Sequence, residues 1–145
     1  MPSEVLNIAR RYIESVQGRN DMAAADALVA DDFRYNSALA PTGFIEGREA
    51  FKQAISGLHA AFPDIRLTIE DAFAGDAESG GRVCIRFRAT GTHLAPFLGL
   101  PATGKSILMI ETHTIRVEGG KVVEDYAADN NYDFPYLVEP LFKQG

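Results

Sequence analysis

The hydrophobic period of this chain changes at Pro63, and that change constrains the fold more than any other feature. Upstream, apolar residues recur every three or four positions. Val5, Ile8, Ala9, Tyr12, Ile13 and Val16 make one helical stripe, and Phe51, Ala54, Ile55, Leu58 and Phe62 another. Ser3 is placed to cap the first helix and Asp21 a short second one through Met22, Ala25, Leu28 and Val29. Between Asp31 and Gly47 the pattern is irregular but rich in aromatic residues, so this stretch should pack over something rather than hang in solvent. Downstream of Pro63 the period is two. Ile65, Leu67, Ile69 and Asp71 alternate with polar residues, and three further strands are expected over 82–92, 106–117 and 121–129. Helices first and strands second is an α+β order, not the alternation of a βαβ fold. With 145 residues, the chain should form a single domain over 1–145 around one core.

Composition excludes several functions. Fourteen Lys and Arg against twenty Asp and Glu give a net charge of -6, which offers no general attraction to nucleic acid or to an anionic membrane. Arg82, Arg86 and Arg88 share one strand parity and read as a solvated sheet face. Cys84 is the single cysteine, so neither an intrachain disulfide nor a thiolate metal cluster is available. The start MPSEVLNIARRY does not read as a signal peptide, and no run reaches the roughly 18 apolar residues of a membrane span. The expectation is a soluble, cytoplasmic protein. Nothing in the sequence calls for a cofactor: phosphate-loop, nucleophile-elbow and short-range metal motifs are all missing.

The third long strand carries the chemistry. Its odd positions run Ile107, Met109, Glu111, His113, Ile115 and Val117, which sets a carboxylate and an imidazole in the middle of a core-facing stripe. Such groups need hydrogen-bond partners, a wet cavity, or both. Partners should come from the fourth strand, reached through the hairpin Glu118-Gly119-Gly120. A loop of the two glycines alone would centre the partners of His113 on Tyr126. One extra or bulged residue would bring Asp125, Ala127 and Asp129 to the His113 face instead. Neighbouring carboxylates would raise the imidazole pKa and fix its tautomer. His93, at the end of the second long strand in ATGTH, precedes a breaker-rich loop and is a further polar candidate. The terminal stretch Phe134 to Phe142 is apolar enough to cover an opening or meet a partner chain.

The segments GTHLAPFLGLPATGKS and ETHTIRVEGGKVVEDY, with HAAFPDIRLTIED, FRYN and FIEGREAF before them, resemble the SnoaL-like polyketide cyclases of the nuclear-transport-factor-2-like (NTF2-like) superfamily, over nearly the whole chain. The resemblance implies a curved antiparallel sheet packed with N-terminal helices, forming a conical pocket, and a homodimer. It also implies intramolecular aldol cyclisation of polyketide esters without metal or organic cofactor, by a histidine on the third strand and an aspartate on the fourth. The histidine corresponds to His113. The aspartate's place falls on Ala127, where this chain departs from the family, and the same register puts Asp125 and Asp129 near the cavity. The function expected is a cofactor-independent cyclase, isomerase or lyase acting by acid–base chemistry on a small hydrophobic or polycyclic carbonyl compound. Glu111 or Asp129 would remove an activated proton, and His113, positioned by Asp125, would donate to the developing enolate oxygen. His93, Tyr35 and Tyr126 would orient polar edges of the substrate, and Phe51, Phe87, Phe97 and Met109 would supply apolar wall. A noncatalytic binder of hydrophobic ligands and an epoxide hydrolase-like enzyme are the alternatives.

Overall fold

The computed structural model describes residues 3–37 and 43–129, with Ala77 and Asp129 described by their backbone alone. The terminal stretch Phe134 to Phe142 lies outside the described residues. Helix α1 spans Glu4–Arg11, with the Ser3 side chain accepting from the Leu6 amide at 3.1 Å. The chain then widens into a π-helical segment, Tyr12–Gln17, in place of the continuous α-helix that the periodicity predicts. Helix α2, Met22–Leu28, is capped by Asp21, which accepts from the Ala24 amide at 3.0 Å.

Next come strand β1 (Val29–Asn36) and the two-residue strand β2 (Ile45–Glu46), before helix α3 (Arg48–Ala61). These strands correct the expectation of an irregular stretch. In β1, Val29, Phe33 and Tyr35 are buried on one face, but the pair Asp31-Asp32 breaks the alternation that would reveal it. After α3 come β3 (Arg66–Ala74), a 3₁₀ turn (Ala77–Ser79), β4 (Arg82–Thr92), β5 (Ser106–Glu118) and β6 (Lys121–Asp129).

The six strands form one sheet in the order β2-β1-β6-β5-β4-β3. Because β1 runs parallel to β6 while the other neighbours are antiparallel, the sheet is mixed, which corrects the all-antiparallel expectation. A second correction concerns β3. A register shift between Ile69 and Asp71 reverses the parity, so Asp71 is exposed rather than inward and Phe73 is 57% exposed.

The helices pack on one face of the sheet. Tyr12, Ile13, Val16, Phe33, Phe51, Ile55, Phe62, Ile85 and Ile115 are fully buried there. Phe51 from α3 sits edge-on to Phe33 (4.8 Å between ring centroids) and to Tyr35 (5.1 Å), and lies 5.9 Å from Tyr12. On the other face Arg82, Arg86 and Arg88 are exposed, and Glu70 pairs with both Arg86 (3.6 Å) and Arg88 (3.7 Å). Among the described residues no helix is long and apolar enough to cross a membrane.

Candidate active site

The β5–β6 hairpin decides which groups meet. Gly119 and Gly120 both take positive φ (56° and 76°), as a tight two-residue turn requires, and Glu118 pairs with Lys121. The register then shifts between Arg116 and Val117, so that His113 faces Ala127, Ile115 faces Asp125 and Glu111 faces Asp129. The short turn and the bulge, which the sequence presents as alternatives, are both present. The bulge puts Asp125 on the inner face and sends Tyr126 to the outer one, where it is 41% exposed and meets Phe44 edge-on at 5.7 Å. Tyr126 therefore lies on the opposite side of the sheet from His113.

His113 is fully buried and held at both ring nitrogens. Nδ1 lies 2.8 Å from each oxygen of Asp125, and Nε2 lies 2.9 Å from Oε1 of Glu111. Carboxylates accept and do not donate when ionised, so a ring bracketed by two of them is best satisfied as imidazolium, donating on both sides. Burial opposes that charge. The negative charge of Asp125, its hydrogen bond and the contacts to Glu111 outweigh it, and the pKa of His113 rises from 6.5 to about 10. The Phe87 ring from β4 lies 5.0 Å from the imidazole and Met109 is buried on the same stripe of β5.

Asp125 is fully buried too, and takes a further donor. The Tyr12 hydroxyl donates to Oδ2 at 2.6 Å, while Gln17 Nε2 donates to the Tyr12 hydroxyl at 2.9 Å. Burial, reinforced by the charge of Asp125, pushes the Tyr12 phenol well above its ordinary value, so it stays a donor. The Tyr35 phenol is likewise raised, by burial and then by the charges of Asp125 and Glu111. Sequence reasoning missed Tyr12 and Gln17 as site residues. Tyr12 reads as part of the apolar helical stripe. Its hydroxyl was the available signal, since a buried phenol needs a partner.

Glu111 is the outermost group of the chain Gln17, Tyr12, Asp125, His113, Glu111. Its side chain is 15% exposed, whereas those of His113 and Asp125 are wholly covered. Ala127, opposite His113, is partly buried against the core. The remaining sequence candidates separate into two places. Phe51 and Tyr35 belong to the aromatic cluster beside Tyr12, whereas His93 and Phe97 lie at the far end of β4. His93 is fully buried and stacked on Phe62 at 5.3 Å. Its Nδ1 accepts from the Thr103 amide (3.3 Å) and hydroxyl (2.9 Å), tying down the loop after β4. Six residues separate His93 from Phe87, the ladder partner of Glu111, or roughly 20 Å along an extended strand. A groove of about 500 Å³ between α1 and β3 is lined by Arg10, Glu14 and Ile65 among others, and by none of these site residues. Among the described residues no group of three or more His, Cys, Asp and Glu side chains is arranged to hold a metal ion.

Helices covering one face of a mixed sheet, with polar groups set into that face, define an α+β protein of the NTF2-like class. A SnoaL-like protein of known structure from Jannaschia sp. CCS1 superposes with a TM-score of 0.77 at 19% identity, over 93% of this chain and 90% of that one. The chain belongs to the SnoaL-like polyketide cyclase family, whose model matches residues 7–134. It is 28% identical over 121 residues to the aklanonic acid methyl ester cyclase DauD of Streptomyces sp. (strain C5), an alignment covering 83% of this chain and 72% of that protein. The aklanonic acid methyl ester cyclase DnrD of Streptomyces peucetius is 27% identical over 121 residues, covering 83% of this chain and 80% of its own.

Proposed function

We propose that this protein is a cofactor-independent cyclase or isomerase acting on a carbonyl-bearing polyketide-type ester, with Glu111 as the proton-transfer group. The observation that carries the reading is that Glu111, its side chain 15% exposed, is the outermost group of the buried chain and lies 2.9 Å from Nε2 of the wholly buried His113. The carboxylate of Glu111 removes a proton from a carbon flanked by carbonyls. The resulting carbanion attacks a ketone carbon of the same molecule, forming the ring C–C bond, and the alkoxide oxygen takes the proton back from Glu111. Atoms and charge balance, since product is an isomer of substrate. His113 does not need to touch the substrate: its Nε2–H steadies the Glu111 carboxylate, and Asp125 holds the ring from behind. Phe87 and Met109 supply apolar wall and Tyr35 a polar edge, and Asp129 is the backbone partner of Glu111 in the ladder. The names of the two curated cyclases supply the substrate to try first, aklanonic acid methyl ester.

The test is turnover of that ester by the unmodified protein and by Glu111→Gln, followed by chromatography of the cyclised product. Product from the unmodified protein, with a drop of roughly 10²–10⁴-fold in kcat for Glu111→Gln, supports the reading. Equal rates would overturn it. Ala127, standing where the family resemblance implies an aspartate, favours a second reading as a noncatalytic binder of the same class of compound. That reading requires saturable binding of the ester with no product on prolonged incubation. The homodimer implied by the family resemblance belongs to the same proposal, and sedimentation at micromolar concentration checks it.

A further inference from the structure

The hydrogen bond between Gln17 and Tyr12 spans five residues. In an α-helix, residues five apart point about 140° away from each other, so this pair could not form. It forms here because Tyr12–Gln17 is π-helical, with the Gly18 amide donating to the Ile13 carbonyl at 2.9 Å, five residues back. The widened turn aims both polar side chains inward, and the Tyr12 hydroxyl reaches Asp125 of β6. Both are buried, where an unsatisfied hydroxyl or amide is costly, so each must find a partner inside the protein. The amide of Gln17 donates to the phenol, which polarises it and strengthens its own donation to Asp125 at 2.6 Å.

We propose that the π-helical turn makes Tyr12 and Gln17 positioning residues for the site: they draw charge from Asp125 and so set how strongly His113 donates to Glu111. This deepens the proposed function and rests on it for its catalytic consequence. The titratable groups facing the imidazole are Asp125 from β6, Glu111 from β5, Tyr12 from the π-helical turn and Tyr35 from β1, and β4 contributes the uncharged Phe87. Removing the Tyr12 hydroxyl leaves the Asp125 charge less shared, so it holds the Nδ1 proton harder. The ring then gives less to Glu111, whose carboxylate becomes the stronger base.

The test is proton and nitrogen NMR of protein labelled with ¹⁵N-histidine, read at the His113 ring, which Asp125→Asn identifies among the three histidines. In Tyr12→Phe the Nδ1–H signal is expected to move further downfield and the ring to lose its proton at higher pH than in the unmodified protein. Gln17→Met should move both in the same direction by less, because it weakens the Tyr12 donor without removing it. Gln17→Met decides the matter alone if Tyr12→Phe does not fold. Folded variants whose His113 signals and titration are unchanged would overturn the proposal. With active protein, the acid limb of kcat/KM for aklanonic acid methyl ester should move to higher pH in Tyr12→Phe. The NMR arm needs no substrate, so shifted signals without turnover would sink the proposed reaction and leave the positioning role standing.

Discussion

At the scale of single residues, Ala127 faces His113 across the ladder, and the carboxylates that reach the imidazole come from Glu111 and Asp125. Alanine can neither take nor give a proton, so any proton transfer at this face falls to neighbours in the ladder. Glu111 sits two residues from His113 on the same strand and reaches its Nε2, and Asp125 sits diagonally across and reaches its Nδ1. The imidazole thus serves as a cation between two anions. Removing it leaves Asp125 as a buried charge with the Tyr12 hydroxyl but no counter-ion. His113→Ala should therefore destabilise the fold by roughly 3–5 kcal/mol, read from urea denaturation followed by circular dichroism. Glu111→Gln should cost much less, because Glu111 is partly exposed and the amide oxygen can still accept from Nε2. That contrast would separate a structural and electrostatic role for His113 from the proton-transfer role proposed for Glu111. A loss of stability for Glu111→Gln as large as that for His113→Ala would contradict this division.

At the scale of elements, what was legible in the sequence depended on whether the residues alternate cleanly. The stripe on β5 does so without a break, and Ile107, Met109, His113, Ile115 and Val117 are all buried as parity requires. The inner set of β4, Val83, Ile85, Phe87 and Ala89, behaves in the same way. Where a strand carries an irregularity, periodicity fails from that point onward. In β3 it misassigned Asp71, and in β6 it left two registers open, which a bulge then resolved in favour of Asp125. Helix patterning likewise reads a stripe every three or four residues and is blind to a switch from α to π, which hid the Gln17–Tyr12 pair. The parallel pairing of β1 with β6 joins segments far apart in the chain, and nothing local encodes it. Some turns, by contrast, admit only one residue type. Gly81 has φ of 77°, and a Cβ there would lie 2.2 Å from the Val117 carbonyl oxygen, a backbone atom that cannot swing aside. Gly81→Ala should break the start of the β4–β5 ladder and cost about 2 kcal/mol or more, measured as a lower denaturation midpoint. Gly119→Ala pays only the backbone strain, since nothing lies within 4 Å of its Cβ position, and should cost less.

At the scale of the whole molecule, the buried ion chain ties stability to pH through one dominant group. His113 holds its proton up to about pH 10 when folded, against 6.5 for an ordinary imidazole. Its folded pKa is raised, so the stabilisation is complete below pH 6.5, where folded and unfolded chains both carry the proton. It declines as pH rises through the interval to about 10, where only the folded chain still binds it. The raised phenols of Tyr12 and Tyr35 act in a separate window that opens only above about 10, where unfolded tyrosines begin to ionise. On the acid side, Asp64 is held below its ordinary value by the amide and hydroxyl of Thr92, and Asp26 by Lys52, so their contributions fade as pH falls through those lowered values. Both are exposed surface pairs and weigh little beside the fully buried pair of His113 and Asp125. The denaturation midpoint in urea should accordingly fall between pH 7 and pH 10, although the exposed charges hardly change sign over that range. In His113→Gln the absolute stability drops, but the slope across that interval should flatten, because the group that links proton binding to folding is gone. A slope equal to that of the unmodified protein would show that His113 is not held as a cation between Asp125 and Glu111, and would remove the electrostatic basis for assigning Glu111 its proton-transfer role.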